Sequence, residues 1–238
     1  MTVMINSDMG ESFGIHSFGN DEGLLELIDS ANVACGFHAG DPTTLRLTVA
    51  AAAAADILIG AHPGLPDLWG FGRREMKLDA DEVRDIIFYQ VGALSAFLRA
   101  EGIPLNHIKP HGSLYGMVAR DPALMESVCD VAEVYGVGVY GMANTNHETV
   151  AQARGIPFTA ELYVDLAYRA DGSLIIVRRP KATPPEVAAE RARLGVEEAS
   201  ILTESGDLIP VRFDSICVHS DTPNAVDVAR AVRSVVGD

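Results

Sequence analysis

Six short apolar runs in this chain each deliver a titratable side chain at or just beyond their carboxyl end: Asp8, His38, His62, His111, Glu161 and His219. The second of them sets the pattern. Asn32–Pro42 is a short strand that breaks at Gly36, presents His38 and Asp41 beside Gly40, and enters an alanine-rich helical run through Pro42. By itself Asp41 before Pro42 reads equally well as a helix N-cap. Repetition of the pattern along the chain is what turns these ends into a candidate site.

The segments between the runs are helical. Asp21–Ile28 suits a short helix, Thr43–Ala55 a longer one, and Asp79 with Glu82 forms a capping-box pair opening a helix that stops at Gly102. Within it Val83, Ile86, Ile87, Val91, Leu94 and Leu98 keep the helical period. Further helices are expected from Asp121-Pro122 to about Gly136, from about Asn146 to Gly155, from a second capping box at Thr183-Pro184-Glu186 to Gly195, and after Thr222-Pro223.

Strands are expected at Thr2–Ser7, up to Cys35, and at Ile57–Ala61, His107–Pro110, Gly138–Met142, Pro157–Glu161 and Ser215–Val218. Seven strands alternating with helices imply a parallel sheet, most economically a closed α/β barrel one unit short of eight, with an open doubly wound sheet as the alternative. Either way ligands bind where the strands end. The chain reads as one domain over residues 1–238, with a long Gly-, Pro- and Arg-rich loop at 64–77 and a small hairpin insertion near 201–211.

Charge narrows the function. With 18 Lys and Arg against 33 Asp and Glu, a net charge of −15 repels phosphate backbones and anionic lipid, so neither nucleic acid nor a membrane is an expected partner. Cys35, Cys129 and Cys217 lack CxxC spacing and read as buried free thiols; with no readable signal peptide or membrane span, the expected compartment is the cytoplasm. No GxxxxGK[ST] or GxGxxG motif announces a nucleotide, and no GxSxG elbow announces acyl transfer by serine.

Long motifs then become specific. Asn6–Gly14 (NSDMGESFG), Asn32–Pro42 (NVACGFHAGDP), Gly60–Gly64 (GAHPG), Asp67 with Phe71-Gly72-Arg73, and His107–Gly112 (HIKPHG) with Leu114-Tyr115 resemble the lactam-utilisation family, which supplies the A subunit of bacterial ATP-dependent 5-oxoprolinase. The resemblance implies a seven-stranded (β/α) barrel of the glycoside hydrolase/deacetylase type. It also implies a cytoplasmic hydrolase that works with two companion subunits, with ATP as co-substrate, to open the lactam of 5-oxo-L-proline to L-glutamate.

That chemistry needs a base for water, donors for the oxyanion and a cation near transferred phosphate. Asp8, His38, Lys109 and His111 are the catalytic candidates, Lys109 and His111 sharing one face of their strand with His107 one step deeper. Asn6, Glu11, Asp41, His62, Arg73, Glu161, Asp165 and His219 are the substrate-binding candidates. Asp8 with His38 or His62 is the expected polarised pair.

A divalent metal stays open. Deacetylase relatives hold one with an Asp and two His, but the HxxxH pair is absent here. Two alternative functions also remain: a metal-dependent amidase or deacetylase acting without ATP, and a non-catalytic lactam-binding subunit. One departure from the family pattern bears on substrate. Leu166 stands where the family carries arginine, a loss that would unpair Asp165 or weaken anion binding, so that either Arg169 compensates or the substrate differs.

Overall fold

The computed structural model describes residues 3–177 and 181–237. In chain order the elements are β1 (Met4–Met9), α1 (Asp21–Leu24), β2 (Ser30–Ala34), α2 (Pro42–Ala54), β3 (Leu58–His62), α3 (Ala80–Glu101) and β4 (His107–Ile108). Next come α4 (Gly112–Arg120), α5 (Pro122–Tyr135), β5 (Gly138–Gly141), α6 (Asn146–Ala153), β6 (Phe158–Tyr163), β7 (Ala167–Tyr168) and β8 (Leu174–Ile175). The chain finishes with α7 (Pro185–Glu198), β9 (Ser200–Leu202), β10 (Leu208–Pro210), β11 (Ser215–His219) and α8 (Ala225–Val236).

Seven strands close the barrel, in the order β1-β11-β6-β5-β4-β3-β2, and every pairing among them is parallel. Register brings the functional ends level: Asp8 pairs with His219 and with Asn32, Ala34 with His62, and Cys217 with Tyr163. The strands are largely buried, and Asn6, Asp8, Asn32, Glu161, Cys217 and His219 share the face that looks into the barrel.

The helices form as their signals dictate. Asp79 accepts from Glu82 N–H and Glu82 accepts from Asp79 N–H, both at 2.9 Å, and α3 ends on left-handed Gly102. The hairpin expected near 201–211 is the antiparallel pair β9–β10. Five readings need correction. Strands β1, β3, β6 and β11 run one or two residues further toward the mouth than the apolar pattern suggests, because buried Asp8, His62, Tyr163 and His219 continue the ladder; Thr2, the expected start of β1, lies outside the described residues.

Helix α4 is not legible in Gly112-Ser-Leu-Tyr-Gly, nor is the β7–β8 hairpin beyond Asp165. The second capping box does not form: Thr183 Oγ1 donates instead to Asp165 O at 3.3 Å, and Pro184 caps α7 without a side-chain bond. Helix α7 also runs through Gly195, which packs against Leu162 and Phe213, and ends at left-handed Ala199.

Close packing inside the barrel dictates one glycine. A Cβ at Gly60 would collide with the His107 imidazole, which stacks on Tyr140 with ring centroids 3.8 Å apart. Gly60→Ala is therefore expected to destabilise the protein by about 1–3 kcal/mol, the usual cost of overpacking, in chemical denaturation. An unchanged midpoint would mean that His107 is free to move aside.

Candidate active site

The inner deck is built on one buried cation. Lys109 Nζ, brought by the strand end of β4, lies 2.9 Å from Asp8 Oδ1, 3.0 Å from Glu161 Oε1, 3.2 Å from Asn6 Oδ1 and 3.1 Å from Cys217 Sγ. Asn32 Nδ2 donates to Asn6 Oδ1 at 2.8 Å and Asp8 Oδ1 at 2.9 Å, while His107 Nε2 meets Asn32 Oδ1 at 2.7 Å. Tyr163 and Tyr115 hydroxyls donate to Glu161 Oε2 at 3.0 and 3.3 Å.

Charge is kept here against burial. Desolvation would lower the Lys109 ammonium, but Asp8, Cys217 and Glu161 hold its pKa well above the ordinary lysine value. Burial would likewise raise the Asp8 carboxyl, yet His62, Lys109 and His219 hold it well below the usual carboxylate range. On the outer side, burial would lower His219, but Asp165, both of whose oxygens lie 3.0 Å from His219 Nδ1, raises it, with Asp8 adding to the effect.

Above this lies a deck of three histidines, of which His38 and His111 are held neutral. Burial, with His38, His62 and Arg73, drives His111 well below the ordinary histidine value, and burial with His62 and Arg73 does the same to His38. Their rings stack at 3.6 Å between centroids, and His62 stands nearly perpendicular to both. Gly72 leaves room for the stack, since a Cβ there would lie 2.8 Å from both His38 Cβ and His111 Cδ2.

Main-chain carbonyls fix two tautomers. His62 Nδ1 lies 2.8 Å from Lys109 O, and His111 Nε2 lies 2.8 Å from Phe71 O; a carbonyl only accepts, so both nitrogens carry hydrogen. That leaves His62 Nε2 and His111 Nδ1 facing each other at 2.9 Å. Among the described residues, Glu11, His38, His62 and His111 each offer a ligand atom within 4.8 Å of one another, and Asp8, Cys217 and His219 form a second such set. The first set suits a divalent cation by the chemistry of its donors.

The structure sorts the remaining candidates. His62 Nε2 is the nitrogen facing Asp8, at 3.2 Å from Oδ2, whereas His38 Nε2 lies 3.3 Å from Glu11 Oε1. Arg73 Nη1 pairs with Asp221 Oδ2 at 2.7 Å at the cavity rim. Asp41 does not reach the cavity: it caps α2 through Thr43 and Thr44 N–H and accepts from Gly14 N–H at 2.9 Å, which ties down the loop carrying Glu11. Hydrogen bonds from Thr44 and Gly14 push its carboxyl down to about 2.

Arg169 does not compensate for Leu166, because its guanidinium bonds Leu174 O at 3.0 Å within its own hairpin. Asp165 has no need of an arginine, being engaged by His219, while Arg191 fastens its turn through Val164 O and Leu166 O. Leu166 instead walls the cavity with Leu174 and Ile176. Tyr163 and Cys217 escape the sequence reading, although each sits two residues from a candidate, Glu161 and His219, and so shares its face.

Fold and site together define a TIM-like α/β barrel with a buried acid–base centre at its strand ends. The chain belongs to the LamB/YcsF family, which matches it over residues 3–238. It is 45% identical over 240 residues to the lactam utilization protein lamB of Emericella nidulans, covering 99% of this chain and 94% of that one. It is 44% and 43% identical to the 5-oxoprolinase A subunits of Brevibacillus brevis and Pyrococcus horikoshii, again covering 99% and 94%.

Among solved structures, the lactam utilization protein of Thermus thermophilus superposes with a TM-score of 0.90 at 41% identity, covering 99% of this chain and 96% of that one. A GH113 β-1,4-mannanase shares the fold alone, with a TM-score of 0.53 at 10% identity over 99% of each chain.

The ion-pair core makes its own prediction. Lys109→Met strands two buried carboxylates and is expected to cost about 3–5 kcal/mol. Adding Glu161→Gln should recover part of that, giving a coupling of roughly 1 kcal/mol or more in a double-mutant cycle. Strictly additive losses would mean that Lys109 and Glu161 do not share the charge.

Proposed function

We propose that this chain is the lactam-opening subunit of a 5-oxoprolinase, converting 5-oxo-L-proline to L-glutamate with cleavage of ATP and in company with two other subunits. The observation that carries this reading is the Lys109 ammonium, fixed between Asp8 and Glu161 and opening onto a cavity walled by Leu166, Leu174 and Ile176. A five-membered lactam has the matching character: a ring of methylenes, an amide oxygen to be polarised, and a carboxylate to be held.

An unstrained lactam is a stable amide, which explains coupling to ATP. Transfer of the γ-phosphoryl group to the amide oxygen makes the ring carbon electrophilic; one water then opens the ring at the C–N bond and a second releases phosphate. The roles follow position. Lys109 faces the oxygen on which charge builds. His219, kept protonated by Asp165, is placed to donate to the departing ring nitrogen.

His111 Nδ1, the ring's hydrogen being committed to Phe71 O through Nε2, takes the proton from water, and Asp8 Oδ2 lies 3.2 Å from the neighbouring His62 Nε2. A divalent cation held by His62, His111 and Glu11 would supply Lewis acidity there. Those residues also support the second reading, a metal-dependent amidase that needs neither ATP nor companions.

Reconstitution separates the two. The chain with both companion subunits, 5-oxoproline and ATP should yield glutamate and ADP in equal amounts, with no glutamate when this chain is omitted. Glutamate formed by the chain alone without ATP would overturn the reading in favour of the amidase, and undiminished turnover in its absence would remove it from the reaction.

A further inference from the structure

Four atoms able to ligate a cation converge where the two decks meet. His62 Nε2 and His111 Nδ1 lie 2.9 Å apart with their hydrogens committed to main-chain carbonyls on the far sides of the rings. Asp8 Oδ2 is 3.2 Å from the first nitrogen, and Glu11 Oε1 is 3.6 Å from the second. All four residues are buried, at 3% exposure or less. Carboxylates buried beside imidazole nitrogens are stabilised when positive charge lies between them.

A shared proton joins two such atoms, whereas a metal ion meets all four. Two nitrogens each about 2.1 Å from one cation stand about 3 Å apart when they subtend a right angle. The surroundings also have the form of a ligand shell. Each imidazole donates its other N–H to a backbone carbonyl, which is how ligating histidines are usually oriented. Glu11 is steered from behind: His38 Nδ1 is buried without a partner, so its hydrogen sits on Nε2, which donates to Glu11 Oε1.

We propose that His62 Nε2, His111 Nδ1 and the Glu11 carboxylate bind one divalent transition-metal ion, with Asp8 Oδ2 on its inner side and His38 as a positioning residue for Glu11. Two imidazoles with carboxylates favour zinc, cobalt, nickel, manganese or iron(II) over magnesium or calcium. The site does not depend on which amide the cavity accepts.

The test reads metal directly. Chelator-stripped full-length protein is titrated with Zn2+ in a calorimeter and, separately, with Co2+ while its visible ligand-field bands are followed. One ion per chain is expected, with Mg2+ unable to compete at equal concentration. His62→Ala, His111→Ala and Glu11→Gln should each weaken zinc at least 100-fold, whereas His16→Ala, an exposed histidine nearby, should leave it unchanged.

X-ray absorption at the zinc edge of the unmutated protein guards against variants that misfold, and should show two imidazole nitrogens with oxygen donors. Absence of a saturable site, or zinc bound with no imidazole in its shell, would overturn the proposal and leave the two nitrogens sharing a proton. Because these readouts involve no turnover, failure of metal binding and failure of the 5-oxoprolinase reading are told apart.

Discussion

The Lys109 ammonium, withdrawn from water into the barrel axis, is the constraint on which the rest of the site depends. Burying one such ion costs several kcal/mol, offset only when opposite charge and hydrogen bonds are delivered with good geometry. No single segment of this chain supplies that. Asp8 and Asn6 come from β1, Glu161 from β6, and Cys217 from β11, so closure of the seven-stranded barrel is what assembles the partners of the cation. Fold and site are in this sense one electrostatic problem with one solution.

From that core the site divides by charge. Inward, Lys109 and Asp8 are held ionised by one another; outward, His38 and His111 are held neutral by burial and by neighbouring positive charge. His219 stands at the border, charged through Asp165 and facing Asp8 Oδ2 at 3.6 Å. The His219 imidazole, the fixed Lys109 cation and the His111 ring therefore open onto one cavity.

Much of this is written in local sequence. Alternation of strand ends and capped helices points to the barrel, and Asp8, Lys109, His111, Glu161 and His219 stand out at the strand ends that carry them. What escapes is set by partners distant along the chain. Whether Asp8 meets His62 or His38 depends on how β3 and the β2–α2 turn sit around β1, and local spacing is silent on that. Thr183 resembles a helix cap, but the Asp165 carbonyl takes its hydroxyl, and Asp41 resembles a ligand while serving as a cap. Tyr163 and Cys217 are concealed as ordinary apolar strand residues, although a period of two from Glu161 and His219 places them on the inner face.

A crystal structure of the chain soaked with 5-oxo-L-proline tests the proposed lactam site most directly. The ring should lie against Leu166, Leu174 and Ile176, with its amide oxygen within hydrogen-bonding reach of Lys109 Nζ and its nitrogen on the His219 side. A lactam found instead in the outer groove beside Arg120, Arg169 and Arg212, with the Lys109 cavity empty, would contradict it.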